Sequence, residues 1–98
     1  DLNSVDNAGM HTRQLVYAIK GLVPLYAAVI EQGVEEGVFE TETPLETAEF
    51  LLAGIQFLTD TGVHPWDLGD LMRRAAAFPA MAERLLKAPK GSFDFLKQ

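Results

Sequence analysis

The side chains able to do chemistry are few in this chain: His11 and His64, Ser4 and Ser92, and a long run of carboxylates. A hydrolytic site needs a nucleophile, a base within hydrogen-bond reach and a third group orienting the base. No recognisable motif places the two serines and two histidines in that relation. Zinc takes three or four placed ligands, and two distant histidines without a third are a poor start for such a site. The chain has no cysteine, which removes disulfides, thiolate zinc sites and a thiol nucleophile together. No enzymatic activity, no metal and no cofactor are therefore expected.

The carboxylates carry a different message. Between Lys20 and Arg73 there is no basic residue, while Glu31, Glu35, Glu36, Glu40, Glu42, Glu46, Glu49 and Asp60 fall in that gap. With a net charge of −6, the chain is a poor binder of nucleic acid, because phosphate contacts need clustered Lys and Arg. The acids read as a solvated face or as a docking surface for a basic partner.

At 98 residues the chain forms one domain, 1–98, near the lower size limit for a self-sufficient core. Apolar residues at 48% and a mean hydropathy of +0.06 are high for a domain that is also 22% charged, so another chain is expected to cover part of that surface. A secreted domain of this size would need staples; without cysteine, a cytoplasmic location is expected. No unbroken apolar run approaches the roughly 20 residues of a membrane span, so no membrane partner is expected. The start at Asp1 without a Met reads as a piece of a longer protein.

The elements that position these residues are helical throughout. Residues 1–7 read as a loose tail, with Asp6 or Asn7 capping a helix that begins near Ala8 and runs to about 35. At 3.6 residues per turn, Leu15, Ile19, Leu22, Tyr26, Val29, Ile30 and Gly33 share one face, opposite Arg13, Lys20, Glu31 and Glu35. Pro24 sits on the solvent side and is expected to kink the helix without reversing it, because the apolar phase is the same on both sides. Gly37 is the stop signal. Thr43-Pro44-Leu45-Glu46 reads as a capping box with proline at the first helical position, opening a second helix over 44–61. Its apolar arc is wide enough to face more than one neighbour, and Gly54 within it admits a close helix approach. A break at Thr61-Gly62-Val63-His64-Pro65-Trp66 leads to a third helix over 67–87, kinked near Pro79, and residues 90–98 form a tail that docks or frays. The fold class is all-α, an antiparallel bundle of three long helices.

On the first helix His11 and Tyr26 lie on the apolar face. Two readings stand: polar groups with protein partners inside a core, or the oriented polar groups of an apolar ligand cavity. Trp66 reads as an inter-helix anchor or a cavity wall.

The series P-L-Y-A-A-V-I-E-Q-G-V-E-E-G-V-F, a four-residue gap, then P-L-E-T-A-E-F-L-L resembles the C-terminal domain of TetR-type transcriptional regulators. In that family a long helix ends in a comparable glutamate-glycine-phenylalanine stretch and the next opens on proline and an acid-alanine pattern. The resemblance is clearest over Pro24 to Leu52. It implies a domain that dimerises and binds a small apolar or amphipathic effector, with DNA bound only through an N-terminal helix-turn-helix domain that these residues do not contain. By position, it assigns Ala48, Leu51, Gly54, Ile55, Leu58, Leu71, Ala75, Phe78 and Ala82 to a homodimer contact of the last two helices. His11, Leu15, Leu22, Tyr26, Phe50 and Phe57 would then bound the effector pocket. A helical association module with no small-molecule ligand is the alternative.

Overall fold

The computed structural model describes residues 2–60 and 65–93, with the side chains of the first helix described from Gly9 onward. His64, the break at 61–63, the Ser4 side chain, Phe95 and Leu96 lie outside the described residues. Three helices follow in order, α1 (Leu2–Glu35), α2 (Pro44–Leu58) and α3 (Leu68–Leu86), and among the described residues there is no strand. Helix α1 begins at Leu2 rather than near Ala8, and continues through Pro24 as one element. Pro24 is exposed, so the backbone bond it cannot make is missing on the solvent side.

The 34 residues of α1 set the length of the molecule, about 51 Å at 1.5 Å per residue, against a longest extent of 52 Å. Helix α2 has 15 residues, less than half as many, and cannot cover α1 along its whole length. The radius of gyration of 15.4 Å accordingly exceeds the roughly 13 Å expected of a compact 100-residue domain.

Opposite ends of the chain meet in an antiparallel arrangement. His11 near the start of α1 pairs with Asp60 just beyond α2, its Nε2 lying 3.0 and 2.9 Å from the two carboxylate oxygens. At the other end Val23, Ala27 and Ile30 of α1 bury against Ala48 and Leu52 of α2 and Leu86 of α3. The Glu40 N–H donates to the Leu86 carbonyl at 2.8 Å, joining the α1–α2 link to the end of α3. Phe39 and Phe93 close this end, their ring centroids 5.7 Å apart in a tilted contact.

The buried stripe of α1 is rotated from the one the sequence indicates. Val23 and Ala27 are buried, while Tyr26 is 49% and Val29 59% exposed. Apolar residues occur on both rows, and periodicity alone does not say which row α2 takes. By length and composition Gly9–Glu35 is apolar enough to cross a membrane. Of that window 17% is buried inside the domain, chiefly the Val23–Ala27–Ile30 stripe.

The helix ends follow local rules, with one correction. At the end of α1 the Val38 N–H donates to Gly33 O at 2.8 Å and the Gly37 N–H to Val34 O at 3.1 Å, a Schellman closure with Gly37 at φ +77. At the start of α2, Thr43 makes no side-chain cap bond. Its hydroxyl instead joins a cluster with Thr41 and Thr47, and its N–H is satisfied by the Thr41 hydroxyl at 3.1 Å. The expected capping box is thus replaced by a threonine network: a nearby hydroxyl already holds the backbone donor that Glu46 would have reached.

Helix α3 is capped by Asp67, whose carboxylate accepts from the Asp70 N–H at 2.7 Å. It closes with the same Schellman pattern, Ala88 N–H to Glu83 O and Lys87 N–H to Arg84 O, but the left-handed residue is Lys87 at φ 52. A side chain at that position carries a cost of about 1 kcal/mol that glycine avoids. Lys87→Gly is expected to stabilise the domain by about 0.5 to 1 kcal/mol in urea denaturation, the loss of its exposed 3.5 Å pairing with Glu40 being minor.

Candidate functional site

Helices α2 and α3 enclose an apolar groove of about 360 Å³. Phe50, Leu51, Gly54, Ile55 and Leu58 form one wall, and Ala77, Phe78 and Met81 the other, with Arg73 and Arg74 on the α3 side. The side chains follow from helix spacing: positions 51, 54, 55 and 58 lie three and four apart and share a face, as do 74, 77, 78 and 81. The groove has no acidic wall residue, although the chain as a whole is acidic.

Trp66 locks one end of this groove. Its indole N–H donates to the Leu58 carbonyl at 2.7 Å, satisfying an orphan carbonyl at the end of α2. The Arg74 guanidinium stacks 3.7 Å from the ring centroid and also donates to the Asp70 carbonyl at 3.1 Å. Trp66 is therefore the anchor between α2 and α3, in line with one of its two sequence readings.

Of the nine residues expected at a homodimer contact, five line the groove: Leu51, Gly54, Ile55, Leu58 and Phe78. Ala75 is exposed and Leu71 half-buried on α3, outside the groove lining. Ala48 and Ala82 are 1% and 4% exposed and belong to the interior of this chain, so neither can touch a partner. Ala48 belongs to the core that α2 forms with α1, and Ala82 is buried on α3 within the domain.

The six residues expected around an effector are divided between two places. Phe50 stands on the wall of the α2–α3 groove, 78% exposed, and Phe57 is half-exposed on the same helix. Leu15, Leu22 and Tyr26 lie on α1, and none of the described cavities brings them together with Phe50 or Phe57. His11 is held by Asp60 as a clasp between α1 and the end of α2, with 39% of its side chain exposed and 17% of its partner's.

A second apolar row on α1 includes Leu15, Leu22 and Val29 of the face read from the sequence. Leu15, Ala18, Leu22, Leu25 and Val29 alternate three and four residues apart, the spacing of a helix-pairing seam. Ala18, Leu25 and Val29 are exposed, Leu25 to 64%, while Leu15 and Leu22 are half-buried and Leu22 packs against the core.

Among the described residues no group of three His, Asp or Glu side chains could hold a metal ion.

The described residues thus form an all-α domain with an apolar groove between its last two helices and exposed apolar residues on its first. The family model described as "Tetracyclin repressor-like, C-terminal domain" matches residues 1–81. The chain belongs to this family, whose members are regulatory domains. The search of curated proteins found no match.

Proposed function

We propose that this chain is the effector-sensing and dimerisation part of a cytoplasmic transcriptional repressor of the tetracycline-repressor type. Operator binding belongs, in this reading, to a separate basic helix-turn-helix domain on its N-terminal side. The observation that carries the proposal is the pairing of two unsatisfied apolar surfaces with family membership over residues 1–81. The α2–α3 groove is the contact between copies. The open row of α1, with Leu15, Leu22, Leu25 and Tyr26, is one wall of the effector chamber. Phe50 and Phe57 are assigned to the pairing side, and His11 to holding α1 against the end of α2.

The mechanism is a population shift. An effector bound along α1 favours one angle between α1 and the α2–α3 pair over another, and in the intact regulator that angle sets the spacing of the two DNA-reading helices. An effector favouring one state tenfold supplies about 1.4 kcal/mol of bias, so a useful switch needs the two states to lie within a few kcal/mol. An association module without a ligand remains the second reading. It is favoured by one observation, that the best-formed apolar groove lies at the pairing face and not along α1.

Sedimentation equilibrium of the chain at micromolar concentration tests the pairing half, with a dimer expected. The sensing half is tested with the fluorescent apolar anion 1-anilinonaphthalene-8-sulfonate added to the dimer. Leu25→Ser and Val29→Ser together are expected to weaken its binding at least tenfold, about 1.4 kcal/mol, while leaving the dimer intact. Unchanged dye binding would support the association module instead.

A further inference from the structure

Arg73 and Arg74 stand apart from the other charges of the chain. Acids outnumber bases by 14 to 8, yet among the described residues neither arginine pairs with a carboxylate. Both line the α2–α3 groove, and every other residue lining it is uncharged. The groove is therefore an apolar slot with a positive end beside Leu58 and Thr59. Arg74 is also held in place before any ligand arrives. Its guanidinium lies 3.7 Å from the centroid of the Trp66 ring, and one N–H donates to the Asp70 carbonyl at 3.1 Å. Its other N–H groups donate to no described residue. A planar cation fixed on one face and at one corner gives up little freedom when it binds an anion.

We infer that the α2–α3 groove is a binding site for an amphipathic monoanion, whose carboxylate meets Arg73 and Arg74 and whose apolar body lies between Leu51 and Ile55 on one side and Phe78 and Met81 on the other. The site is separate from the α1 row. It goes beyond the sensing and pairing proposed above, and only its competition with a second copy rests on that reading. At about 360 Å³ the groove falls within the roughly 300 to 1,000 Å³ of small-molecule sites, which combine apolar walls with a few oriented polar groups.

Two requirements select the occupant. The walls favour an apolar body over a small hydrated ion, which would lose its water against them and gain little. The arginines favour a carboxylate over a neutral or cationic head, since a guanidinium and a carboxylate form charge-assisted bonds. A second copy meets the first requirement alone, because the same groove on it brings two further arginines and no acid. In a pair of copies the arginines stay at the hydrated rim without a counter-charge. An anion supplies that charge and fills the slot, so ligand and second copy exclude each other.

Decanoate is the probe, titrated calorimetrically into the full chain below its micelle concentration. Decanol and decyltrimethylammonium keep the apolar chain and change the charge. Decanoate is expected to bind at least tenfold more tightly than decanol, about 1.4 kcal/mol, and the cation more weakly than either. Trp66, the one tryptophan of the chain, lies against Arg74, so its emission should change with decanoate and not with decanol. Arg73→Gln/Arg74→Gln leaves the apolar walls untouched and is expected to bring decanoate to the affinity of decanol, with decanol unaffected. Arg73→Gln alone spares the Trp66 stack and should lose at least threefold, which separates loss of charge from loss of fold. Saturating decanoate should raise the dimer dissociation constant at least tenfold. Equal affinities for decanoate and decanol, or decanoate binding unchanged in the double arginine variant, would overturn the site. Decanoate binding lost in Leu25→Ser/Val29→Ser would overturn it too, by placing the anion on α1. A dimer indifferent to saturating decanoate would overturn the competition. A wild type that is monomeric at micromolar concentration would overturn the pairing reading instead, and the affinity comparison would still decide the site.

Discussion

Gly33→Ala is expected to destabilise the domain by about 1 to 2 kcal/mol, although alanine is the better helix former by nearly 1 kcal/mol. Gly33 is buried in the last turns of α1, and a Cβ there would overlap the Phe39 ring. That ring cannot simply swing aside. Its backbone N–H is bonded to the Gly33 carbonyl at 3.1 Å and the ring is in tilted contact with Phe93. The ring would have to leave the end of the core, or the link between α1 and α2 would have to shift with it. Gly21 supplies the control. It lies in the same helix, is exposed, and a Cβ there meets nothing within 4 Å. Gly21→Ala should therefore stabilise the domain by up to about 1 kcal/mol, since only the propensity term remains. Urea denaturation of both variants at one fixed protein concentration checks the opposite signs; two equal gains would show that Phe39 does not pack on Gly33.

Glu83→Ala is expected to cost about 2 to 4 kcal/mol, a large effect for a carboxylate on a helix of a small domain. The side chain is 6% exposed and sits near the C-terminal end of α3, where the helix dipole disfavours a negative charge by up to about 1 kcal/mol. Two backbone bonds outweigh that cost. Its Oε1 accepts from the Gly91 N–H at 3.0 Å and its Oε2 from the Phe93 N–H at 3.1 Å. Charge-assisted bonds of this kind contribute about 1.5 to 3 kcal/mol each. They bend the chain beyond α3 back so that Phe93 reaches Phe39. Glu83→Gln keeps the shape and one acceptor and should lose about half as much. If Glu83→Ala left the denaturation midpoint unchanged, the 88–93 turn would not depend on this carboxylate.

These two sites show where the sequence was legible. The helices were readable because their boundaries are local events: Gly37 can take φ +77, Asp67 can cap, and Pro44 fits a first turn. The apolar arc of α2 was readable for the same reason, and five of the residues assigned to pairing from the family resemblance do line the groove. What periodicity could not supply was the choice between neighbouring rows. Tyr26 was read on the apolar face of α1 and Val23 beside it, and only the placement of α2 decides that Val23 is the buried one. Ala48 and Ala82, assigned to pairing by position in the family, are buried within this chain, which the position alone did not indicate. Glu83 was invisible as a structural group because its bonds run to a turn eight and ten residues away. His11 met its partner Asp60 across 49 positions of sequence, a separation no motif spans.

The central claim is that two apolar surfaces have two duties, the α2–α3 groove covered by a second copy and the α1 row left open for a ligand. Amide hydrogen exchange of the full chain, followed from nanomolar to high micromolar concentration, reads both at once. Protection should rise with concentration in residues 50–58 and 73–81 and stay constant in residues 15–29. Rising protection in 15–29 with no change in 50–58 would contradict the account, because it would make the α1 row the contact between copies.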